Sequence, residues 1–135
     1  MMREHVRHRI LVVDDDEIVS DMVGRMLRRM GYLAVVCRKP TDALSLFSRA
    51  SKRFSAVIVD EIMPGLRGTE LTPKLLQIKD DIPIILMTGH GDMISLETIR
   101  KSGVRATLMK PVLMGRLQET LSRLLRWGKH PQEYV

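Results

Sequence analysis

Arg9-Ile10-Leu11-Val12-Val13-Asp14-Asp15-Asp16-Glu17 decides the fold. A short, β-branched apolar run stops abruptly on a row of acids. Its length and composition predict a buried strand. Outward from it, Ile18, Met22, Met26 and Met30 recur every four residues, flanked by Val19, Val23 and Leu27. That spacing predicts an amphipathic helix closed by Gly31. Arg25, Arg28 and Arg29 lie off the centre of this stripe, near the helix C-terminus, where cations are favoured.

The same alternation continues along the chain. Tyr32–Cys37 is a second β-prone run, and Pro40 suits the start of a helix with Ala43, Leu44, Phe47 and Ala50 inward. Phe54–Val59 is a third strand, again ending on acids, Asp60 and Glu61. Ile62-Met63-Pro64-Gly65-Leu66-Arg67-Gly68 is punctuated as a loop. The helix after it turns Leu71, Leu75 and Ile78 inward, with Pro73 expected in its first turn. Ile82–Met87 is a fourth run, followed by Thr88 and a helix over Ile94–Arg100 that Gly103 stops. Val104–Met109 is a fifth, more polar run. The last helix carries Leu113, Leu117, Leu121 and Leu124. Strand then helix, five times, with short loops, defines an α/β, three-layer, doubly wound fold around a parallel sheet. The four most apolar runs are expected at its centre and the fifth at its edge.

Composition bounds the function classes. A chain of 135 residues, 44% hydrophobic, suits one domain that needs no staple. The division read from the pattern is an N-terminal extension over 1–8, one domain over 9–126 and a tail over 127–135. A single Cys excludes an intramolecular disulfide and the cysteine-rich zinc sites. The apolar runs are too short to span a membrane, and the basic start has no signal-peptide core, so the expected location is cytoplasmic. The formal charge of +6 raises nucleic-acid binding as an alternative. One Trp, two Tyr and two Phe leave few stacking platforms, and no binding motif is present. The basic first helix better fits an acidic protein surface, where charge steers encounter.

Polar residues at the strand ends carry the chemistry. In such sheets a ligand binds beyond the carboxyl ends of the strands. Asp14 and Asp15 follow the first strand, Asp60 the third, Thr88 the fourth and Lys110 the fifth. Acids gathered there raise one another's pKa unless a cation compensates. Oxygen ligands without His or Cys point to Mg²⁺, with Mn²⁺ an alternative. A hard metal, a lysine and a hydroxyl around a carboxylate make a phosphoryl site, and the carboxylate can itself be the nucleophile. Asp60 is the best candidate, Asp14 and Asp15 hold the metal, and Thr88 donates to a phosphoryl oxygen, with the Gly89 amide as a second donor. Each residue alone has a plainer reading: Asp14–Glu17 as helix N-terminal acids, Asp60-Glu61 as solvated loop acids, Thr88 as a turn residue, Lys110 as a surface lysine. Four after four different strands make coincidence a poor explanation.

These stretches resemble the receiver domain of two-component response regulators. The resemblance covers Arg9 to Arg126. It rests on Ile10-Leu11-Val12-Val13-Asp14-Asp15-Asp16-Glu17, Val59-Asp60-Glu61-Ile62-Met63-Pro64-Gly65-Leu66-Arg67-Gly68, Pro83-Ile84-Ile85-Leu86-Met87-Thr88-Gly89 and Leu108-Met109-Lys110-Pro111. It implies a flavodoxin-like receiver fold with strand order 2-1-3-4-5. It also implies that Asp60 accepts phosphate from a histidine of a kinase or phosphotransfer domain. Asp15 and Asp60 would bind Mg²⁺ directly, Asp14 through water, and the Ile62 carbonyl would complete the protein ligands. Lys110 would contact the phosphoryl group, and Thr88 would move toward it. Leu86-Met87-Thr88-Gly89-His90 and Leu108-Met109-Lys110-Pro111-Val112 most resemble receiver modules of hybrid sensor histidine kinases.

Some positions depart from the family pattern. Thr107 stands where many receivers carry an aromatic that rotates with the switch, and Gly89, where Ala is common, should leave phosphoryl entry less obstructed. Arg67 replaces a common Asp. Ile62 and His90 occupy rim positions, where a bulky Ile62 would shield the acyl phosphate from water. The resemblance implies self-catalysed phosphorylation and dephosphorylation without small-molecule turnover, because no second acid follows two residues after Asp60 and no cap segment is present. No output domain is expected within this length, and neither direct nucleic-acid binding nor membrane insertion. Homodimerisation through the fourth helix, fifth strand and fifth helix stays open. The rival readings are a degenerate receiver that signals by contact without phosphate, and a basic nucleic-acid-binding domain.

Overall fold

The computed structural model describes residues 7–127. The N-terminal extension up to residue 6, and the tail from residue 128, lie outside the described residues. Five strands form one parallel sheet: β1 (Arg9–Val13), β2 (Leu33–Cys37), β3 (Ala56–Asp60), β4 (Ile84–Thr88) and β5 (Ala106–Met109). Five helices connect and follow them: α1 (Glu17–Arg29), α2 (Pro40–Ala50), α3 (Gly68–Ile78), α4 (Leu96–Ser102) and α5 (Met114–Trp127). The sheet order is β2-β1-β3-β4-β5, the expected flavodoxin-like receiver arrangement. A short 3₁₀ turn, Ser51–Arg53, follows α2.

Strand alternation sorts the core into two layers. Leu11, Val13, Val57, Val59, Ile84 and Leu86 face one side, where Phe47 of α2, Leu71 and Leu75 of α3 and Ile99 of α4 close over them. Ile10, Val12, Ile58, Ile85, Met87 and Leu108 face the other, under Val23 and Leu27 of α1 and Leu117, Leu121 and Leu124 of α5. β1, β3 and β4 are therefore apolar on both faces, as their unbroken runs require.

The structure corrects several details. β2 lies at an edge, as the order 2-1-3-4-5 requires and against the reading of its apolar run as central, and every residue in it is only half-buried. The buried face of α1 is Ser20, Val23, Gly24 and Leu27, one residue round from the methionine stripe. Small side chains at 20 and 24 let the helix lie close to the sheet, and a Cβ at Gly24 would sit 3.5 Å from Val36 Cγ2. Ile18, in the first turn, is consequently 80% exposed. Ile78, the last residue of α3, is partly exposed, and Leu113 lies exposed ahead of α5, whose first inward neighbour is Val112. Pro73 falls in the second turn of α3, not its first, with its ring side exposed. α4 starts at Leu96, where the Ser95 hydroxyl accepts from the Thr98 N–H, and it ends on Gly103 at φ 94°.

Gly68 joins fold to site. Its N–H donates to the Glu61 carbonyl at 3.0 Å. A Cβ there would fall inside contact distance of the Asp60 carbonyl oxygen and 2.8 Å from Leu86 Cδ1. Backbone cannot yield as a side chain does, so Gly68→Ala should lower unfolding stability by about 1–3 kcal/mol. Urea unfolding of the variant checks this, and an unchanged midpoint would contradict it.

Candidate phosphoacceptor site

The parallel ladder brings the predicted residues together. β1 pairs with β3, and β3 with β4, so Val13 lies opposite Val59 and Asp60 opposite Met87. Asp14, Asp15, Asp60, Thr88 and Lys110 thus meet at one end of the sheet, each at the carboxyl end of a strand or one or two residues beyond. One carboxylate oxygen each from Asp14, Asp15 and Asp60 lies within 4.8 Å of the others. Asp14 is fully buried, Asp60 is 2% exposed and Asp15 faces solvent. Lys110 Nζ ion-pairs with Asp60 Oδ1 at 2.5 Å. Its backbone N–H donates to the Thr88 carbonyl at 2.8 Å, tying the ends of β4 and β5 together, and the Lys110–Pro111 peptide is cis.

The row of acids after β1 divides its labour. Asp14 Oδ1 accepts from the Asp16 N–H at 3.0 Å, while its Oδ2 is buried with no hydrogen-bond partner among the described residues. Asp16 instead caps α1, accepting from the N–H groups of Ile18 and Val19. Glu17 sits in the first turn and pairs with Arg38 at 3.2 Å. The helix-cap and pocket readings of this row are therefore both right, for different members of it.

Glu61 is a correction. It is 1% exposed, not a solvated loop acid. Consecutive strand residues point to opposite faces, so Asp60 turns into the pocket while Glu61 turns beneath α3. There it accepts from the Thr69 N–H at 2.9 Å and the Thr69 hydroxyl at 3.1 Å, with the Arg67 guanidinium 3.6 Å away. Extending the β3 alternation by one residue reveals this role from sequence. Asp92 was missed altogether. Its Oδ2 accepts from the Gly89 N–H at 2.7 Å, and it adds negative charge toward Asp60 and Lys110.

The ends of β4 and β5 have a particular arrangement. The Thr88 hydroxyl donates to Met109 Sδ at 3.3 Å, away from the Asp60–Lys110 pair. Thr107, buried, lines a recess of ≈ 560 Å³ with Thr88, Met109, Ile94 and Ile99. Ile62 and His90 both stand exposed at the rim.

Burial governs the electrostatics. Desolvation chiefly raises Asp14 to about 6; the neighbouring Asp60 and Asp15 charges add to this, and the Asp16 N–H opposes it. Asp60 is raised chiefly by burial, with Asp92 and Asp15 adding, against the opposing Lys110. Burial works against the Lys110 charge, but Asp60 beside it, with Asp14 and Asp92, outweighs this and lifts the ammonium above the usual lysine range. An orphaned buried Oδ2, three converging carboxylates and an oxygen-only donor set fit a hard divalent cation.

Comparison with known proteins gives the family. The model of the response regulator receiver domain family matches residues 10–122, and the chain belongs to that family. It is 35% identical over 118 residues to the response regulator MprA of Mycolicibacterium vanbaalenii. It is 30% identical over 118 residues to the two-component response regulator ARR14 of Arabidopsis thaliana. Each alignment covers 87% of this chain; the chain spans 50% of the first relative's length and 31% of the second's. Among solved structures, a receiver domain protein from Clostridium thermocellum matches with TM-score 0.83 at 26% identity, covering 88% of this chain and 94% of that one. A CheY-like receiver domain protein from Methanospirillum hungatei matches with TM-score 0.81 at 28% identity, covering 90% and 95%.

The raised Asp14 has a consequence for stability. As pH rises, the unfolded carboxyl ionises first, near its ordinary 3.8, and the folded one only near 6. Stability contributed at this position therefore falls between about pH 4 and about pH 6 and stays low above. In Mg²⁺-free buffer at about pH 8, Asp14→Asn should be more stable than the wild type by about 1–3 kcal/mol. Denaturant titrations across pH check this: the gap should close toward acid, and a gap that widens toward acid would contradict it.

Proposed function

We propose that this receiver is a Mg²⁺-dependent phosphoacceptor that takes a phosphoryl group from a phosphohistidine onto Asp60 and signals by protein contact. Residues 9–126 form the unit that does this. The observation carrying the reading is the meeting of Asp14, Asp15, Asp60 and Lys110, with two of the carboxylates buried.

An Asp60 carboxylate oxygen attacks phosphorus as the P–N bond of the donor breaks, and the imidazole leaves. Lys110 neutralises charge on the phosphoryl oxygens, and Asp60 stands ready at the rim of the sheet for in-line attack. Asp15, Asp60 and the Ile62 carbonyl would hold the cation, with Asp14 acting through water. When bound, Mg²⁺, or Mn²⁺ in its place, supplies charge neutralisation that the lone lysine cannot. Thr88 would leave Met109 Sδ and donate to a phosphoryl oxygen, and the Gly89 amide would serve as a second donor. The exposed apolar Ile62 would shield the acyl phosphate from water.

The donor is a histidine kinase or a histidine phosphotransfer domain. The likeness of Leu86–His90 and Leu108–Val112 to receiver modules of hybrid sensor histidine kinases fits either donor. Arg25 and Arg29 are exposed on α1 beside Ile18 and Met22, while Arg28 folds back to the Ala34 carbonyl at 3.4 Å. That basic and apolar face suits an acidic helical partner. Exposed Leu96, Met109 and Leu113 support self-association through α4, β5 and α5. No helix among the described residues is long and apolar enough to cross a membrane, which fits action in the cytoplasm.

Incubation with acetyl phosphate and Mg²⁺, followed by intact mass, tests the reading. The wild type should gain one phosphoryl group and Asp60→Ala none. A folded protein with no adduct would favour a receiver that signals without phosphate. The double variant Arg25→Glu/Arg29→Glu should lose about tenfold in transfer rate from the protein donor, yet keep its rate from acetyl phosphate. Equal slowing with both donors would remove α1 from the docking face.

A further inference from the structure

The loop between β4 and α4 holds a charged group that the phosphoryl chemistry does not need. Asp92 Oδ2 accepts from the Gly89 N–H at 2.7 Å, and the Asp92 N–H donates to the Gly89 carbonyl at 3.2 Å. The two bonds close a tight ring over Gly89 to Asp92. Met93, next in the chain, sits at φ 51°, in the left-handed region that a side chain disfavours, and is 94% exposed. The Gly89 amide follows Thr88 directly, on the rim where Asp60 and Lys110 meet. Asp92 is close enough for its charge to act on both.

We propose that Asp92 is a built-in competitor for the phosphoryl group: its carboxylate occupies the Gly89 N–H, and phosphorylation of Asp60 must expel it. This rests on the phosphoacceptor reading. A carboxylate and a phosphoryl oxygen seek the same donor, and one N–H serves one anion well. Phosphorylation replaces the single charge of the Asp60 carboxylate with nearly two on the phosphoryl group, a net gain of about one beside Asp92, so repulsion and competition act in the same direction. Expulsion breaks the side-chain bond of the ring and leaves only the 3.2 Å backbone bond from Asp92 to Gly89, which loosens the turn that leads into Met93. The loop from Gly89 to Ser95 then changes course, carrying exposed Met93 and, behind it, Leu96. Asp92 thereby couples site to surface in a chain whose fifth strand carries Thr107 and no aromatic side chain. Gly89 permits the latch, because a Cβ there would press on Asp92 Oδ1 at 3.3 Å. At Gly89 the entry carries no side chain, but the amide is taken.

The test uses the Mg²⁺-loaded chain and beryllofluoride, a tetrahedral phosphoryl mimic, in wild type, Asp92→Asn and Asp92→Ala. Removing the competitor raises the competent fraction, so half-occupancy should come at a concentration about three- to tenfold lower in Asp92→Ala. Asp92→Asn, which keeps an acceptor but loses the charge, should fall between. In the proton–nitrogen spectrum without beryllofluoride, the Gly89 amide proton should move upfield in Asp92→Ala. In the wild type, saturation should also shift the Met93 amide. Binding with an unchanged or weakened midpoint in Asp92→Ala would overturn the Asp92 assignment alone. No binding by any of the three would overturn the phosphoacceptor reading and this inference with it.

Discussion

Two carboxylates, Asp14 and Asp60, are buried side by side where β1 and β3 end. Water cannot screen them there, and their mutual repulsion adds to the cost of desolvation. The rest of the site answers that constraint. Lys110 arrives from β5 and ion-pairs with Asp60. The Asp16 N–H supports one oxygen of Asp14, and the other has no partner among the described residues. A bound cation would complete the compensation. The stability that this buried charge costs is supplied by packing elsewhere in the sheet.

The sheet's geometry makes this convergence almost unavoidable. Parallel strands all present their carboxyl ends at one rim, and right-handed crossovers keep the helices on the faces, clear of it. Alternation then decides which of two neighbouring acids reaches the pocket. Asp60 does, while Glu61 is turned under α3, where it accepts from Thr69. Gly68 lets that helix start hard against the end of β3. A one-residue slip of β3 would turn Asp60 to the opposite face, away from the pocket.

Much of this was legible in the sequence because strand ends announce themselves. Unbroken apolar runs that stop on Asp14, Asp60 and Thr88 place both the sheet and the rim where these side chains meet. The helices were less legible. Side-chain periodicity alone does not say which residue of a stripe lies deepest, and on α1 the small residues Ser20 and Gly24 rotated the contact face away from Ile18. The edge position of β2 was hidden because an edge strand that packs on both faces is as apolar as a central one; only the family resemblance supplied the order. Asp92 was invisible for a different reason: it acts through one loop hydrogen bond, which no periodicity encodes.

The central claim is that the carboxylate cluster is built around a cation that the folded chain alone can bind. Mg²⁺ titration of the denaturant midpoint, with Asp15→Asn and Asp60→Asn as controls, tests it most directly. A ligand that binds only the folded form must raise stability with concentration. The wild-type midpoint should climb steadily with Mg²⁺, and each variant should lose most of that response. A wild-type midpoint indifferent to Mg²⁺, or one that the two variants follow in full, would contradict the claim.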